Sequence, residues 1–432
     1  MLQRSLLLSL VCVLTSNVSV FAAGSAGIEV GLDNAYILGK GNAGVADPQD
    51  ASTLAYNPAG LTKVDNNILL GTTFLFPIGD FTPASGTSED AATLPAYIPS
   101  FFTSLDVPYV DRLNVGIGVN SPFGLQNQYS SIGNFKYTGF ANQIMTVNYM
   151  LAGAYQVNEW LSFGAGGSYM DVNLRQNSKL NSSAISIANG GPGGIPDAES
   201  EFDTTGHGMG WNLGFLITPP EEPYSVGLYY RSAVRAHMKG EYSVNNIQGA
   251  IMQAIFGNSF FNTSADTDLI FPDAVIAGLK YNINDKWDVE LDLGWTGWAK
   301  YDRFDFTYGT TNAVLAAGDP SSHKFQDTIS VNFGAHYEIN SQWDVMAGYA
   351  FYQRAALESD YSNVVPDGDR HSLAAGLRYK INDFSIAAAY SGQFVSEFDV
   401  DNSVGAISGV SIDGEYSSFY HVVVLTASYD FA

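Results

Sequence analysis

Cysteine is all but missing from this 432-residue chain, and its single copy, Cys12, lies close to the N-terminus. Without another thiol, the remainder can form no disulfide, no thiolate metal site and no cysteine nucleophile. Charge is scarce as well, at 14% of residues, and weighted to one sign: 19 basic against 43 acidic side chains give a net charge of −24. Such a chain repels the phosphates of DNA and RNA, which excludes nucleic acid as a partner. Long apolar runs are lacking too. The most apolar stretch, Leu6 to Leu14, falls well short of the about 20 residues that carry a helix through a bilayer, so a helical membrane protein is excluded. The six histidines show no metal-ligand spacing, and no Gly-x-Ser-x-Gly elbow offers a nucleophilic serine. No metal, cofactor or enzymatic activity is therefore expected.

What is present begins with a secretory signal. Arg4, the short apolar run and the ending Val20-Phe21-Ala22 mark residues 1–22 as a signal peptide. Beyond it come 44 glycines and an aromatic content of 13%, an odd mixture for a soluble enzyme. Their arrangement is periodic. In Trp287-Asp288-Val289-Glu290-Leu291-Asp292-Leu293-Gly294-Trp295 the odd positions are large and apolar and the even ones acidic or glycine. Ile329 to Ile339 repeats the pattern. A period of two belongs to a strand. Further runs fit at Ile68 to Phe76, Ile98 to Leu105, Leu113 to Val119, Met145 to Val157, Leu161 to Tyr169, Trp211 to Ile217, Tyr224 to Ser232, Val275 to Tyr281, Trp343 to Phe351, Leu373 to Ile381, Phe384 to Tyr390 and His421 to Phe431, which makes fourteen strands.

The connections give an independent check on that number. After even strands they are tight, as at Asn158-Glu159, Asn340-Ser341-Gln342 and Asn382-Asp383. After odd strands they are long, as from Asp171 to Met209, Gly240 to Pro272 and Ala299 to Gln326. Alternating turns and loops are what an outer-membrane barrel has, with turns in the periplasm and loops outside. Four tight turns carry aromatics on both sides, Tyr155 with Trp160, Tyr281 with Trp287, Tyr337 with Trp343 and Tyr379 with Phe384, which predicts an aromatic girdle at one interface. The ring must close, because an unpaired strand edge in hydrocarbon leaves its N–H and C=O groups unsatisfied. The fold class expected is an all-β, 14-stranded antiparallel outer-membrane barrel spanning residues 65–432, in the outer membrane of a Gram-negative bacterium.

Residues 23–64 precede the first strand and do not alternate, and a family resemblance makes them a hatch inside the lumen. The stretch Gly39-Lys40-Gly41-Asn42-Ala43-Gly44-Val45-Ala46-Asp47, followed by Asp50 to Tyr56 and Asn57-Pro58-Ala59-Gly60-Leu61, resembles the N-terminal hatch of the FadL-type long-chain fatty acid transporters. Further similarities occur at Asn120 to Leu125, Gly210 to Gly214, Tyr230-Arg231-Ser232, Lys239 to Tyr242, Phe271-Pro272 and Pro366-Asp367-Gly368-Asp369-Arg370. The resemblance implies uptake of long-chain fatty acids or, in some branches, of aromatic or aliphatic hydrocarbons. It makes Asn57, Pro58 and Ala59 the hatch and gating residues. Pro122, Phe123 and Gly124 would form a kink in the third strand, beside a lateral exit into the membrane. On physical grounds alone, Pro122 cannot donate a ladder hydrogen bond, so a strand does not run regularly through it.

In the loop after the seventh strand, Ile247, Ile251 and Ile255 are spaced four apart, with Phe256, Phe260 and Phe261 following. They form an apolar face that either packs on the loop after the fifth strand or captures a greasy ligand. Arg175, Lys179, Lys300 and Arg303 are the candidate partners for a fatty acid carboxylate. Gly39 to Gly44 fits a dinucleotide fingerprint only formally, since no βαβ unit surrounds it. Two other classes remain as alternatives: a membrane-embedded lipid hydrolase, for which His336 and His421 have no serine partner, and an open porin, which would need no hatch. The expected partners are a hydrophobic small molecule, outer-membrane lipid and lipopolysaccharide, with the barrel acting as a monomer.

Overall fold

The computed structural model describes residues 27–31, 33–84, 87–92, 95–301, 306–312, 314–315, 324–402 and 411–431. The expected signal peptide, 1–22, lies outside them. Fourteen antiparallel strands form a closed barrel. In chain order they are β1 (Asn67–Pro83), β2 (Ala96–Asp106), β3 (Leu113–Asn120 and Gly124–Gln128), β4 (Ala141–Gln156), β5 (Leu161–Leu180), β6 (Ala198–Ile217), β7 (Tyr224–Arg231 and Val234–Asn245), β8 (Phe261–Phe271 and Ala274–Asn282), β9 (Trp287–Thr296), β10 (Thr328–Asn340), β11 (Trp343–Tyr352), β12 (Arg370–Ile381), β13 (Phe384–Val400) and β14 (Gly414–Asp430). Each neighbours the next in sequence, and β1 pairs with β14 from Asn67 opposite Asp430 to Pro83 opposite Gly414, which closes the ring. Among the described residues no helix is long and apolar enough to cross a membrane.

The alternation seen in the sequence is realised as two faces. On β9, Leu291, Leu293 and Trp295 point outward and are exposed, whereas Asp288, Glu290 and Asp292 are buried inside the ring. That is the inverse of a water-soluble sheet, and it fits a wall whose outer solvent is lipid. At the tight-turn end, outward aromatics of adjacent strands meet. Trp287 and Tyr337 are 4.4 Å apart between ring centroids, Trp343 and Tyr379 4.6 Å, and Phe384 and Tyr429 4.4 Å.

Several strands run further than their apolar pattern indicates. The β5–β6 ladder continues to Leu180 opposite Ala198, through residues expected to be loop. Past the apolar band the outward face is free to be polar, as at Asp171, Asn173 and Arg175, so the contrast between faces fades although the pairing does not. β7 and β8 are likewise interrupted, at 232–233 and 272–273, and then resume. Across each break the inward face changes parity, from Tyr229 to Val234 and from Phe271 to Ala274, so a period of two read straight through cancels.

Residues 33–64 lie within the ring. They include α1 (Ala35–Gly39), α2 (Thr53–Tyr56) and a 3-10 turn, Pro58–Lys63. Asn34 caps α1 by accepting from Tyr36 N and Ile37 N, the usual remedy for the orphan amides of a first turn. Nearly every side chain from Asn34 to Ala46 is buried.

Candidate functional site

The inward carboxylates of β9 are the docking strip for this N-terminal segment. Asp292 Oδ2 accepts hydrogen bonds from Gly44 N at 2.8 Å and Val45 N at 3.1 Å. Glu290 accepts from Ala46 N through Oε1 and from Lys40 Nζ through Oε2, both at 2.8 Å. Lys40 is wholly buried and also donates to Asp47 at 2.6 Å, while Asp288 stands 3.6 Å away. Asp288 in turn holds His336 Nδ1 at 2.6 Å. Arg378 Nε donates to Asp344 at 2.7 Å, and its Nη1 to Gln49 Oε1 at 3.0 Å. Charges withdrawn from water in this way persist only with their partners in place. Gly41, at φ 64, lies so close to the β11 backbone at Gly348 and Tyr349 that a side chain has no room there. Those glycines serve packing, as expected for a fingerprint without a nucleotide fold.

Asn57-Pro58-Ala59 contacts the wall at β5 and β6. Asn57 Nδ2 donates to Val45 O at 2.7 Å and to Phe215 O of β6 at 3.1 Å, and its Oδ1 accepts from Ala59 N at 3.2 Å. Pro58 occupies the first position of the 3-10 turn, where its missing N–H leaves nothing unsatisfied. The wall is hollowed to receive them. A Cβ at Gly164 would collide with the Pro58-Ala59 backbone, and one at Gly214 with Asn57 Oδ1.

Pro122, Phe123 and Gly124 sit where β3 breaks. Asn120 pairs with Asn148 of β4 and Gly124 with Met145, so β3 carries one residue more than β4 across the interval. The surplus is a bulge, and it moves the inward face from Asn114 and Asn120 to Leu125 and Asn127. On the other side the β2–β3 ladder runs only from Asp106 opposite Asn114 to Phe101 opposite Val119. Beyond it, β2 residues 96–100 pair with β1. The backbone of the kink turns instead to the N-terminal segment: Val30 N donates to Pro122 O and Gly124 N to Ile28 O, both at 2.8 Å. Phe123 is buried, 4.8 Å from the Phe271 ring and 4.9 Å from the Arg231 guanidinium.

Pro122 and Phe123 also wall a lumen cavity of about 170 Å³. Met150, Met170, Tyr229, Val234 and Ile276 line it together with Asp33, Asn120, Asn148, Arg231 and Asn332. Burial pushes the Asp33 carboxyl up to about 6, although Asn120 Nδ2 donates to it at 2.8 Å.

The other candidates lie elsewhere. The helix in the loop after β7 is α4 (Ala250–Phe256), facing α3 (Ser182–Ala188) of the loop after β5. Ile247 precedes it, so the four-residue series does not begin on its surface. The residues buried against Ala198 and Val244 are Ile247, Met252 and Phe256, whereas Ile255 and Phe261 are half-buried at the edge of that cluster. Ile251 is half-buried and Phe260 exposed. None of the six lines the cavity. Nor do Arg175, Lys179 or Lys300. Odd positions of β5 face outward, which directs Arg175 to Asp203 at 3.2 Å, and Lys300 pairs with Asp273 at 2.5 Å. Arg303 lies outside the described residues. Among the described residues the cation that faces the cavity is Arg231, 2.8 Å from Glu29. Its neighbours Tyr230 and Ser232 had marked only a resemblance. Lys40, the first lysine of the chain, meets two inward carboxylates of β9, Asp288 and Glu290. That alternation of acids was visible in the sequence and was the available signal.

Comparison with known proteins agrees with this geometry. The family model described as "Outer membrane protein transport protein (OMPP1/FadL/TodX)" matches residues 16–431. The chain is 25% identical over 437 residues to a putative outer membrane protein of Neisseria meningitidis serogroup B, covering 93% of each chain. It is 26% identical over 389 residues to the long-chain fatty acid transport protein of Escherichia coli O6:H1, covering 83% of this chain and 84% of that one. Among solved structures, a Pseudomonas aeruginosa FadL homologue superposes with a TM-score of 0.82 at 22% identity, covering 94% of this chain and all 100% of the other. The Pseudomonas putida toluene transporter TodX gives 0.68 at 18% identity, covering 95% and 99%.

Proposed function

Because this chain belongs to the OMPP1/FadL/TodX family of outer membrane transport proteins, we propose that it moves long-chain fatty acids through a plugged barrel and releases them sideways into the membrane. It is an outer-membrane barrel of a Gram-negative bacterium and transports hydrophobic small molecules. Residues 23–64 act as the hatch. Asn57, Pro58 and Ala59 fix its seat, and residues 65–432 form the wall. Cargo is gathered on the apolar surface between α3 and α4, where Ile251, Ile255, Phe260 and Phe261 are incompletely covered. It then passes to the cavity behind Pro122 and Phe123. The observation that carries the reading is the coincidence of three features at one height: the cavity, the bulge in β3 and the end of the β2–β3 ladder. An apolar molecule in that cavity stands beside an unpaired stretch of wall.

The protein works as a monomer embedded in lipid and lipopolysaccharide, without a catalytic centre, cofactor or metal. The histidine that a hydrolase would need inside the barrel, His336, is tied between Asp288 and Asp344. Uptake of aromatic or aliphatic hydrocarbons is the second reading, favoured by the likeness of fold to the toluene transporter. Expression in a strain lacking its own fatty acid importer separates the two. Growth on oleate as sole carbon source supports the first reading, and sensitivity to toluene without growth on oleate supports the second. A strain showing neither, with the barrel correctly inserted, overturns both.

A further inference from the structure

The lumen cavity carries more acid than an apolar cargo has use for. Among the described residues three carboxylates line it, Glu29, Asp33 and Asp292, against one cation, Arg231. Arg231 stands 2.8 Å from Glu29 and over the Phe123 ring, so that pair is matched. Asp292 is held by the backbone N–H groups of Gly44 and Val45. Asp33 is the exception. Its carboxylate accepts from Asn120 Nδ2 at 2.8 Å and, among the described residues, from no other donor and no cation.

That acid is positioned but not neutralised. Asn148 Nδ2 donates to Asn120 Oδ1 at 3.2 Å, which turns the Asn120 amide with its N–H towards Asp33. Ser100 Oγ fixes the backbone by donating to Asp33 O at 3.1 Å. Other lumen acids have a cation or several N–H groups: Asp47 has Lys40 and Lys280, Asp344 has Arg378, and Asp367 accepts from Gly27 N, Ala355 N and Ala356 N. A carboxylate withdrawn from bulk water with one neutral donor is short of partners. Burial pushes it up only to about 6, so it is charged at neutral pH. The rest of the cavity supplies ring faces, from Tyr56, Phe123, Tyr229 and Tyr352. Rings already cover this lumen's own cations, with Arg378 4.3 Å from the Tyr36 centroid, Arg231 4.9 Å from Phe123 and Arg370 5.1 Å from Tyr420.

We propose that this cavity is a binding site for a protonated aromatic amine of a single ring, anchored by Asp33. The ammonium N–H groups donate to the Asp33 carboxylate, a charge-assisted pair, and the tyrosine faces cover the rest of the positive charge, as in the aromatic cages that recognise ammonium groups. Size sets the remainder of the ligand. The cavity holds about 170 Å³, close to the roughly 150 Å³ that admits a benzene molecule, so one ring on a short arm fills it. The inference rests on the reading of this cavity as part of the transport route and adds a cationic class to the cargo. The same ring bearing a carboxylate meets repulsion at Asp33.

The test is calorimetric titration of the purified full chain, in neutral detergent at neutral pH, with benzylamine, benzyl alcohol, benzoate and toluene. The parent is expected to bind benzylamine about tenfold or more tighter than the alcohol, the factor a charge-assisted hydrogen bond supplies, and benzoate more weakly than either. Asp33→Asn keeps an oxygen for Asn120 Nδ2, so the barrel should stay heat-resistant. It should erase the preference for the amine while holding the alcohol within about twofold of the parent. Tyr56→Leu leaves the carboxylate and removes one ring face, and should lower the preference by about threefold. An Asp33→Asn variant that still prefers the amine would overturn the assignment, and so would a parent that binds amine and alcohol equally. If toluene binds in that second case, only the amine site falls and the cavity keeps its place on the transport route. If none of the four binds, the route through this cavity falls with it.

Discussion

Lys40→Met removes the cation that joins Asp47 of the same N-terminal segment to Glu290 of the β9 wall, and so tests the seating of the proposed hatch. Lys40 Nζ is fully buried at 2.6 and 2.8 Å from those carboxylates, and methionine fills nearly the same space without charge. Deleting one member of a buried pair costs about 3–5 kcal/mol, because the carboxylates are left behind in low dielectric. Lys280 stays 2.5 Å from Asp47 and shields part of the orphaned charge, which sets the expectation at the lower end, about 3 kcal/mol. That is roughly a hundredfold in the ratio of seated to unseated hatch. Lys40 belongs to no strand, so the barrel should remain heat-resistant on gels. The loss should appear as faster thermolysin cleavage within residues 27–64 and as sugar permeability in a liposome swelling assay. Adding Glu290→Gln should recover most of the effect, since the amide oxygen still accepts from Ala46 N while the unpaired charge is gone. Parental cleavage and parental swelling in Lys40→Met would refute the claim that this cluster holds the hatch.

The remaining perturbations follow from faces, seats and titration. Val331→Arg should impair assembly by about 2–4 kcal/mol, because Val331 faces lipid. Asn332→Arg should insert normally but dislodge the hatch, since Asn332 Nδ2 donates to Gly41 O at 2.9 Å; equal insertion of the two in detergent-free bilayers would reverse the facing assignment. Asn57→Ala should open the barrel to sugars through loss of its bonds to Val45 and Phe215, and Pro58→Ala, which releases the fixed φ of the same turn at a cost of about 0.4–1 kcal/mol, should do so less strongly; an ordering the other way would make the proline the larger part of the seat. Deleting Pro122 alone removes the surplus residue of β3 and should abolish oleate uptake while binding persists, and parental uptake would place the exit elsewhere. Asp33 holds its proton to about 6 when buried, against 3.8 when free, so hatch stability should fall as pH rises between those values and level off above them, by about 3 kcal/mol in all. Asp33→Asn should flatten that profile in a protease-protection titration, and an unchanged profile would rule Asp33 out as its source.

The wall was legible because lipid on one side and lumen on the other write a period of two into every membrane-crossing segment. Trp287 to Trp295 states both faces in nine residues, and all fourteen runs fall on strands. The pattern lost its voice where its cause ended: above the apolar band, where β5 continues to Leu180, and at 232–233 and 272–273, where each strand changes parity within two residues. Side-chain partners across the lumen were harder to see. Lys40 and Glu290 are separated by 250 positions, and no local rule joins a lysine among glycines to an acid in a strand. Arg175 and Lys179 looked suitable by loop proximity, but the same alternation that located their strand turns them away from the cavity. Arg231 and Arg370 stand in stretches noticed only for resemblance, and their burial depends on the closed ring.

The central claim is that this barrel passes hydrophobic molecules and excludes small polar ones, and one preparation tests both halves. Proteoliposomes carrying the full chain are loaded with a fatty-acid-binding protein, and entry of labelled oleate is followed alongside swelling in sugar. Oleate entry well above that of protein-free liposomes, with swelling no faster than theirs, is the predicted result. Rapid swelling without protein-dependent oleate entry would make the barrel an open porin and contradict the account.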